Sequence, residues 1–296
     1  YITPAHDTLF SKNDLTYRAP SYALGTVWKV SNDFAVRLNG AGGFTPPNAY
    51  QLADNGRKEG GYLYEKGDSS LKASVNRQLD LGVSYDRPSI GFTASVYNNI
   101  VSNFIYLNPT GTTIVSGSET LSYYKYLQGN ANLNGAEFGF DLHPKSVAWV
   151  DLAVNYGMVR GTLAGDKGNL PLQPADKITA ALTLQKAQMQ NLYNPFVRIA
   201  VSNYAAQNRV AQYETITGGY TLFDIHIGGA IKISNQLIDF TLSGTNLLNQ
   251  SYYNHLSVLK PIHIHEMGRN ICLRIRVPFG IVNPDKPVKK EVQEQK

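Results

Sequence analysis

The residues best equipped for chemistry lie near the carboxy end: His255, His263, His265 and Glu266. Neutral imidazole and carboxylate are the donors that suit borderline divalent ions such as zinc or copper. In an extended segment His263 and His265 point to the same side, and His255 with Glu266 completes an N/O donor set for a metal. The competing account is a solvated loop whose histidines ligate nothing. A second group, Asp224 and His226 with Arg274 and Arg276, falls on one parity of two alternating segments. A buried hydrogen-bonded pair explains Asp224 and His226 better than catalysis.

Other chemistry is excluded. The chain carries no GxSxG, HExxH, phosphate-loop or dinucleotide fingerprint, and no Ser/His/Asp set groups by spacing, so an enzyme is not expected. Cys272 is the single cysteine, which rules out an intramolecular disulfide and a Cys-only metal site. The formal charge is +5, but only Lys289 and Lys290 form a small cluster. Nucleic acid is therefore not an expected partner.

The elements that must position these side chains alternate with period two over most of the chain. In 78–85, Leu79, Leu81, Val83 and Tyr85 alternate with Gln78, Asp80, Gly82 and Ser84. In 149–156, Val150, Leu152, Val154 and Tyr156 take one face and Asp151, Ala153 and Asn155 the other. Phe223, Ile225 and Ile227 are set against Asp224, His226 and Gly228, and Ile271, Leu273, Ile275, Val277 and Phe279 against Cys272, Arg274 and Arg276. Such runs fall at 8–18 (weakly), 21–31, 34–43, 75–86, 89–105, 122–142, 147–162, 175–186, 195–205, 218–232, 236–247 and 268–279.

Connections alternate as well. Short ones sit at 31–33, 86–89, 143–146 and 234–236, and long ones at about 44–74, 107–120, 163–173, 205–217 and 250–267. Tight turns at one end and long loops at the other are the signature of a transmembrane β-barrel, whose tilted strands need about 9–11 residues to span. Composition agrees: 17% of residues are charged, against roughly 25% in soluble domains, with 19 Tyr and 11 Phe among 296 residues. No apolar run approaches the roughly 18 residues of a helical span. Leu81, Leu152, Val154, Ile225 and Leu273 are then expected to meet lipid. Tyr97, Phe104, Tyr106, Tyr123, Tyr124, Tyr126, Tyr252 and Tyr253 are expected at headgroup level. Residues 281–296 read as a disordered polar tail, leaving 1–280 as the barrel. The chain opens at Tyr1 without a visible signal peptide, as a fragment or a mature product would.

Three stretches in this order carry a family resemblance. Phe44-Thr45-Pro46-Pro47-Asn48-Ala49-Tyr50-Gln51-Leu52 is followed by Gly67-Asp68-Ser69-Ser70-Leu71-Lys72. Tyr97-Asn98-Asn99-Ile100 through Phe104-Ile105-Tyr106 is followed by Asn134-Gly135-Ala136-Glu137. Gly244-Thr245-Asn246-Leu247-Leu248-Asn249-Gln250-Ser251-Tyr252-Tyr253 precedes Gly268-Arg269-Asn270 and Val277-Pro278-Phe279. Together they resemble the carboxy-terminal half of TonB-dependent outer-membrane receptors. Thr45 stands where the family has Arg, Gln51 where it has Glu, and a tail runs past the aromatic at which the family usually ends. Taken singly, Pro46-Pro47 is ordinary turn punctuation, and Asn246 and Asn249 could simply satisfy turn backbone.

The resemblance implies an all-β, antiparallel transmembrane β-barrel, with about 11–12 of about 22 strands in this chain. It implies a bacterial outer-membrane location, contact with membrane lipid, and coupling to the TonB complex through a plug that this chain lacks. The stretch from Tyr252 to Asn270 is most similar to the branch associated with metal ions or haem. Zinc, copper, haem, a ferric siderophore and cobalamin all stay open as cargo, and no cofactor is required. The alternative is a smaller closed barrel, either an outer-membrane enzyme or an adhesin.

Overall fold

The computed structural model describes residues 15–58, 62–165, 168–233 and 236–278. It contains fourteen strands: β1 Tyr22–Lys29, β2 Phe34–Thr45, β3 Asn55–Arg57, β4 Leu63–Lys66, β5 Ser74–Arg87, β6 Ile90–Ser116, β7 Glu119–Leu142, β8 Val150–Leu163, β9 Lys177–Gln185, β10 Gln188–Met189, β11 Leu192–Tyr204, β12 Tyr220–Ile233, β13 Gln236–Thr245 and β14 Asn270–Arg276. The main path is the meander β1-β2-β5-β6-β7-β8-β9-β11-β12-β13-β14. Its pairings are all antiparallel, and β1 and β14 are its free edges. The sheet is thus open. Eleven of the twelve expected spans coincide with strands of this path. Of the weak span 8–18 only residues 15–18 are described, and they hold no strand. The tail 281–296 and Phe279 lie outside the described residues.

Cross-strand register converts the alternation into two faces, because paired residues share a side of the sheet. One row runs Leu142, Leu152, Leu182, Ile199, Ile225, Gly244, Ile271. The next rows hold Phe140, Val154, Ala180, Val201, Phe223 and Val150, Leu184, Val197, Ile227, Leu242, Leu273. Leu81 pairs with Leu38 and Val96 on that same face. The five residues expected at lipid therefore form one continuous apolar surface, on which Leu81 is 46% and Leu273 61% exposed. The opposite face carries Arg37, Glu137 and Lys177 in one register row and Asp151, Thr183, Arg198 and His226 in another. Arg274 shares this face. A barrel lumen is polar in this way because it is wet or touches a plug.

The apolar face ends at a polar row. Asn98 donates to Asn132 Oδ1 at 2.7 Å and Asn134 Oδ1 at 2.6 Å, while Arg160, next in register to Asn134, pairs with Asp176. These outward groups mark headgroup level, since unsatisfied polar groups are costly in hydrocarbon. Several tyrosines expected there lie elsewhere. Tyr97 belongs to the lumen face, where its ring covers Gly135 and fills the space of the missing side chain. Tyr252 stacks on Tyr220, and Tyr253 on His265.

One expected loop is strand. Residues 107–120 extend the β6–β7 hairpin well beyond the apolar band, out to the pair Ser116–Glu119. A register shift between Pro109 and Thr113 absorbs Gly111 and the ladder resumes, leaving Gly117 to make the turn. An earlier shift between Val101 and Phe104 places Asn103 at φ 56°, a left-handed conformation that Asn tolerates. The loop 46–73 reinforces the hairpin, because β4 pairs with β7 in parallel and β3 pairs with β4. It opens with the short helix Ala49–Ala53, whose N-cap Asn48 accepts from Gln51 N–H at 2.9 Å. Gln51 Oε1 accepts from Asn48 N–H at 3.0 Å, a capping box that Gln closes as well as Glu. Leu63, Leu71 and Leu121 are buried in this region, and Tyr126 donates to the buried Glu65 carboxylate at 2.9 Å.

Candidate functional site

The long connections lie at one end of the sheet, and three of them, 164–176, 205–219 and 246–269, are joined by buried polar side chains. Gln173 is 5% exposed and hydrogen-bonds both backbone groups of Gly161 while donating to Leu170 O at 2.8 Å. Gln207, 3% exposed, donates to Gln173 O and Pro174 O at 3.0 and 2.9 Å and so ties the second loop to the first. Each amide takes over backbone groups that no strand can satisfy.

Glu214 and His255 make the second joint. One Glu214 oxygen accepts from Leu172 N–H at 2.8 Å and the other from Ala211 N–H at 2.9 Å. His255 Nε2 lies 3.1 Å from Glu214 Oε1, with side-chain exposures of 2% and 8%. His255 Nδ1 lies 2.7 Å from Thr217 Oγ1 and 3.3 Å from Lys260 Nζ, which donates to Thr215 O at 2.5 Å. A neutral ring with its proton on Nε2 satisfies every neighbour, since Glu214 can only accept and Lys260 can only donate. Burial pushes the Glu214 carboxyl up, but the bonds from His255, Ala211 and Leu172 outweigh it and hold the group below its ordinary range. Burial lowers Lys260, partly offset by attraction to Glu214.

The four metal-ligand candidates share the loop but do not converge. Among the described residues no three His, Cys, Asp or Glu side chains form a set that could hold a metal ion. His255 spends both ring nitrogens inside the joint. His265 stacks on Tyr253 with centroids 4.1 Å apart. His263 ends the short helical turn Lys260–Ile262 at φ 59°, so the stretch is not extended and spacing by two no longer puts His263 and His265 on one side. Glu266 N–H donates to Tyr252 O at 3.0 Å, which bends the chain back on itself.

Asp224 and His226 are not bonded to each other. His226 meets Ser243 at 3.0 Å, and Asp224 accepts from Asn246 N–H at 2.8 Å. Asn246, at φ 49°, also bonds both backbone groups of Gln250 and so sets the exit angle of the last long loop. Asn249 Oδ1 accepts from Arg269 N–H at 3.0 Å at the loop's far end. The turn-satisfying reading of these two asparagines holds. Glu214, Gln173, Gln207 and Lys260 were not legible, because the partners of all but Gln173 include residues of other loops and loop contacts have no period.

Two cavities flank the joint. One of about 300 Å³ lies between the β6–β7 hairpin and the loops, lined by Tyr123, Tyr124, Tyr213, Lys260 and His263. The other, about 350 Å³, lies on the lumen side, where Glu137 and Lys177 meet the stacked rings of Tyr204 and Tyr220. Both cavities carry aromatic rings, with Lys260 beside Glu214 on the outer one and Lys177 beside Glu137 on the lumenal one.

Known proteins of the same kind are similar over most of the chain. A TonB-dependent receptor of Haemophilus influenzae, described as uncharacterized, is 25% identical over 275 residues, covering 87% of this chain and 72% of its own. Among solved structures, the copper transporter OprC superposes with a TM-score of 0.68 at 16% identity, over 86% of this chain and 39% of its own. The siderophore receptor PirA from Acinetobacter baumannii gives a TM-score of 0.60 at 16% identity, over 86% and 40%. The chain thus spans about two fifths of each solved receptor. The TonB-dependent receptor-like β-barrel family model matches residues 3–247. The family consists of bacterial outer-membrane transporters, not enzymes, for which metals and chelates are substrates and not cofactors. With most of its length matched in this way, the chain belongs to the TonB-dependent receptor β-barrel family.

Proposed function

We propose that this chain supplies the carboxy-terminal barrel strands, residues 1–280, and the outer loops of a receptor that imports a scarce metal ion or metal chelate. Residues 281–296 form a polar tail. The observation that carries this reading is the open sheet: its apolar outer face, charged inner face and free edges β1 and β14 require further strands to close a barrel. A small closed barrel carrying an enzyme or adhesin is disfavoured, because β1 and β14 are not paired with each other. Coupling to the TonB complex belongs to the same proposal, since receptors of this family act with TonB. Copper and ferric siderophores lead among the cargoes, because the similar solved proteins are named for them.

Uptake of labelled copper and of labelled ferric siderophore, measured in cells with and without the full receptor, tests this. The expected result is energy-dependent accumulation of one of them that disappears on deletion. Unchanged accumulation of both, with growth under metal limitation also unchanged, would overturn the reading.

A further inference from the structure

Three arginines of β5 and β8 face outward: Arg77, Arg87 and Arg160. Two of them have a carboxylate supplied by the chain. Arg87 Nε donates to Asp33 Oδ2 at 2.7 Å, and Arg160 pairs with Asp176. Arg77 is exposed, and among the described residues no carboxylate lies within ion-pair distance of it. Its height follows from its own strand. Between Arg77 and Arg87 the outward positions of β5 are Leu79, Leu81, Val83 and Tyr85, all apolar. Ten residues at about 3.3 Å each, tilted near 40°, rise about 25 Å, which is the height of the apolar band. Arg87 stands at the tight-turn end of β5, so Arg77 stands at the long-loop boundary, where hydrocarbon meets headgroups. We propose that Arg77 binds the phosphate of an anionic lipid in the outer leaflet.

The surroundings of Arg77 fit that occupant. Gly42 pairs with Arg77 across the sheet, and the ring of Tyr22 covers Gly42, with Oη 2.7 Å from where a Cβ would sit. Cross-strand partners stand about 4.5–5.5 Å apart at Cβ, so the tyrosine hydroxyl is close enough to the guanidinium for one phosphate to engage both. One step toward mid-membrane, Gly40 pairs with Leu24 and Leu79, and a Cβ at Gly40 would meet no atom within 4 Å. The backbone there lies bare between two leucines that are 83% and 57% exposed, a hollow in which an acyl chain can lie directly under the phosphate. On the other side Arg77 pairs with Ile100 and stands diagonally from Asn98 of the polar row. A guanidinium at this boundary is costly without a counter-charge, and its planar fork matches phosphate oxygens. A free inorganic anion would use Arg77 and Tyr22 and leave the hollow at Gly40 unfilled, whereas a lipid uses all three. The site lies on the face away from the lumen, so it does not depend on which cargo the receptor takes.

The test uses the full receptor, stripped of bound lipid in a neutral detergent and titrated with dioctanoyl phosphatidylglycerol, with dioctanoyl glycerol as the uncharged control and inorganic phosphate as competitor. Native mass spectrometry reads the lipid bound. A hydrogen bond between charged groups is worth about ten- to a hundredfold in affinity, so the phosphate lipid is expected to bind at least about tenfold tighter than the uncharged one. Arg77→Gln is expected to remove about tenfold of that preference and Tyr22→Phe about two- to fivefold, while Arg77→Lys stays within about threefold of the unsubstituted receptor. Arg87→Gln is expected to leave the preference unchanged, because Asp33 already occupies that guanidinium. Binding of the uncharged lipid, equal in Arg77→Gln and the unsubstituted receptor, separates loss of the site from loss of the fold. The proposal is overturned if Arg77→Gln keeps the preference, or if Arg87→Gln loses it as fully, which would be general surface charge. It is also overturned if inorganic phosphate at equal concentration displaces the lipid, which would mark an ion site only.

Discussion

Val154→Arg tests the assignment of faces most directly. Along β8 the outward positions are Val150, Leu152, Val154, Tyr156, Met158, Arg160 and Thr162, and the polar row at headgroup level includes Arg160. Val154 lies six residues below it. With about 3.3 Å per residue and a tilt near 40°, that is about 15 Å of depth, close to the middle of an apolar band about 25 Å tall. An Arg at that depth costs about 2–4 kcal/mol, or about 30- to 900-fold in the folding equilibrium. Met158 lies about 5 Å below the same row, where the cost falls to about 0–1 kcal/mol. Asn155, one residue along on the lumen face, should accept Arg at little cost because that side is wet. Denaturant midpoints of the full receptor and the three variants in lipid vesicles would measure the series. Equal costs at Val154 and Asn155, or a larger cost at Met158 than at Val154, would refute the assignment.

Three further outcomes follow from the geometry. Gly135→Val should lower stability by about 1–3 kcal/mol, because a Cβ there strikes the Tyr97 ring on the facing strand; the denaturant midpoint reads it, and combining it with Tyr97→Ala should recover much of the loss. The Glu214 carboxyl should keep its contribution to the joint until strongly acidic conditions. A carboxyl whose pKa is lowered on folding stabilises fully above its ordinary value of 4.5, and the contribution fades only as pH falls through the lower folded value. Amide exchange at Leu172 and Ala211, corrected for intrinsic rate, should therefore stay slow from pH 8 to about 5, and fast exchange already at neutral pH would contradict this. Zinc and copper titrations of the full receptor should give the same affinities before and after His263→Ala/His265→Ala, since those rings do not converge; a clear loss would show that the loop rearranges around a metal.

The parts of the molecule that sequence made legible are those where one residue's environment repeats two residues later. Leu152, Leu182, Ile199 and Ile225 lie on four strands, yet each could be assigned to lipid from its own strand alone, because a sheet with one wet and one greasy face writes the assignment into every second residue. Residues 107–120 were misread for the complementary reason. Pro109, Gly111 and Gly117 are genuine local signals for a turn, but only Gly117 makes the hairpin's turn, and β4 pairing along β7 supports the hairpin where neither β5 nor β8 reaches. Whether 107–120 is loop or strand thus depended on pairing across the hairpin, with β4 holding the residues just beyond it, 122–125.

The loops add a sharper version of the same point. His255, His263 and His265 look alike in sequence, as polar residues in a Pro-containing connection, and metal chemistry is the natural expectation when imidazoles gather. Their roles diverge because of partners that composition cannot supply. Glu214 and Thr217 capture one ring, Tyr253 takes another as a stacking face, and a left-handed backbone at the third breaks the geometry that would have aligned the pair. Of the three, His255 alone is buried, and burial decides its chemistry. A ring with one nitrogen on a carboxylate and the other on a hydroxyl and an ammonium has no lone pair left for a metal. In this connection one imidazole joins two loops and another is a stacking face, while His263 stays with the tyrosine and lysine lining of the outer cavity.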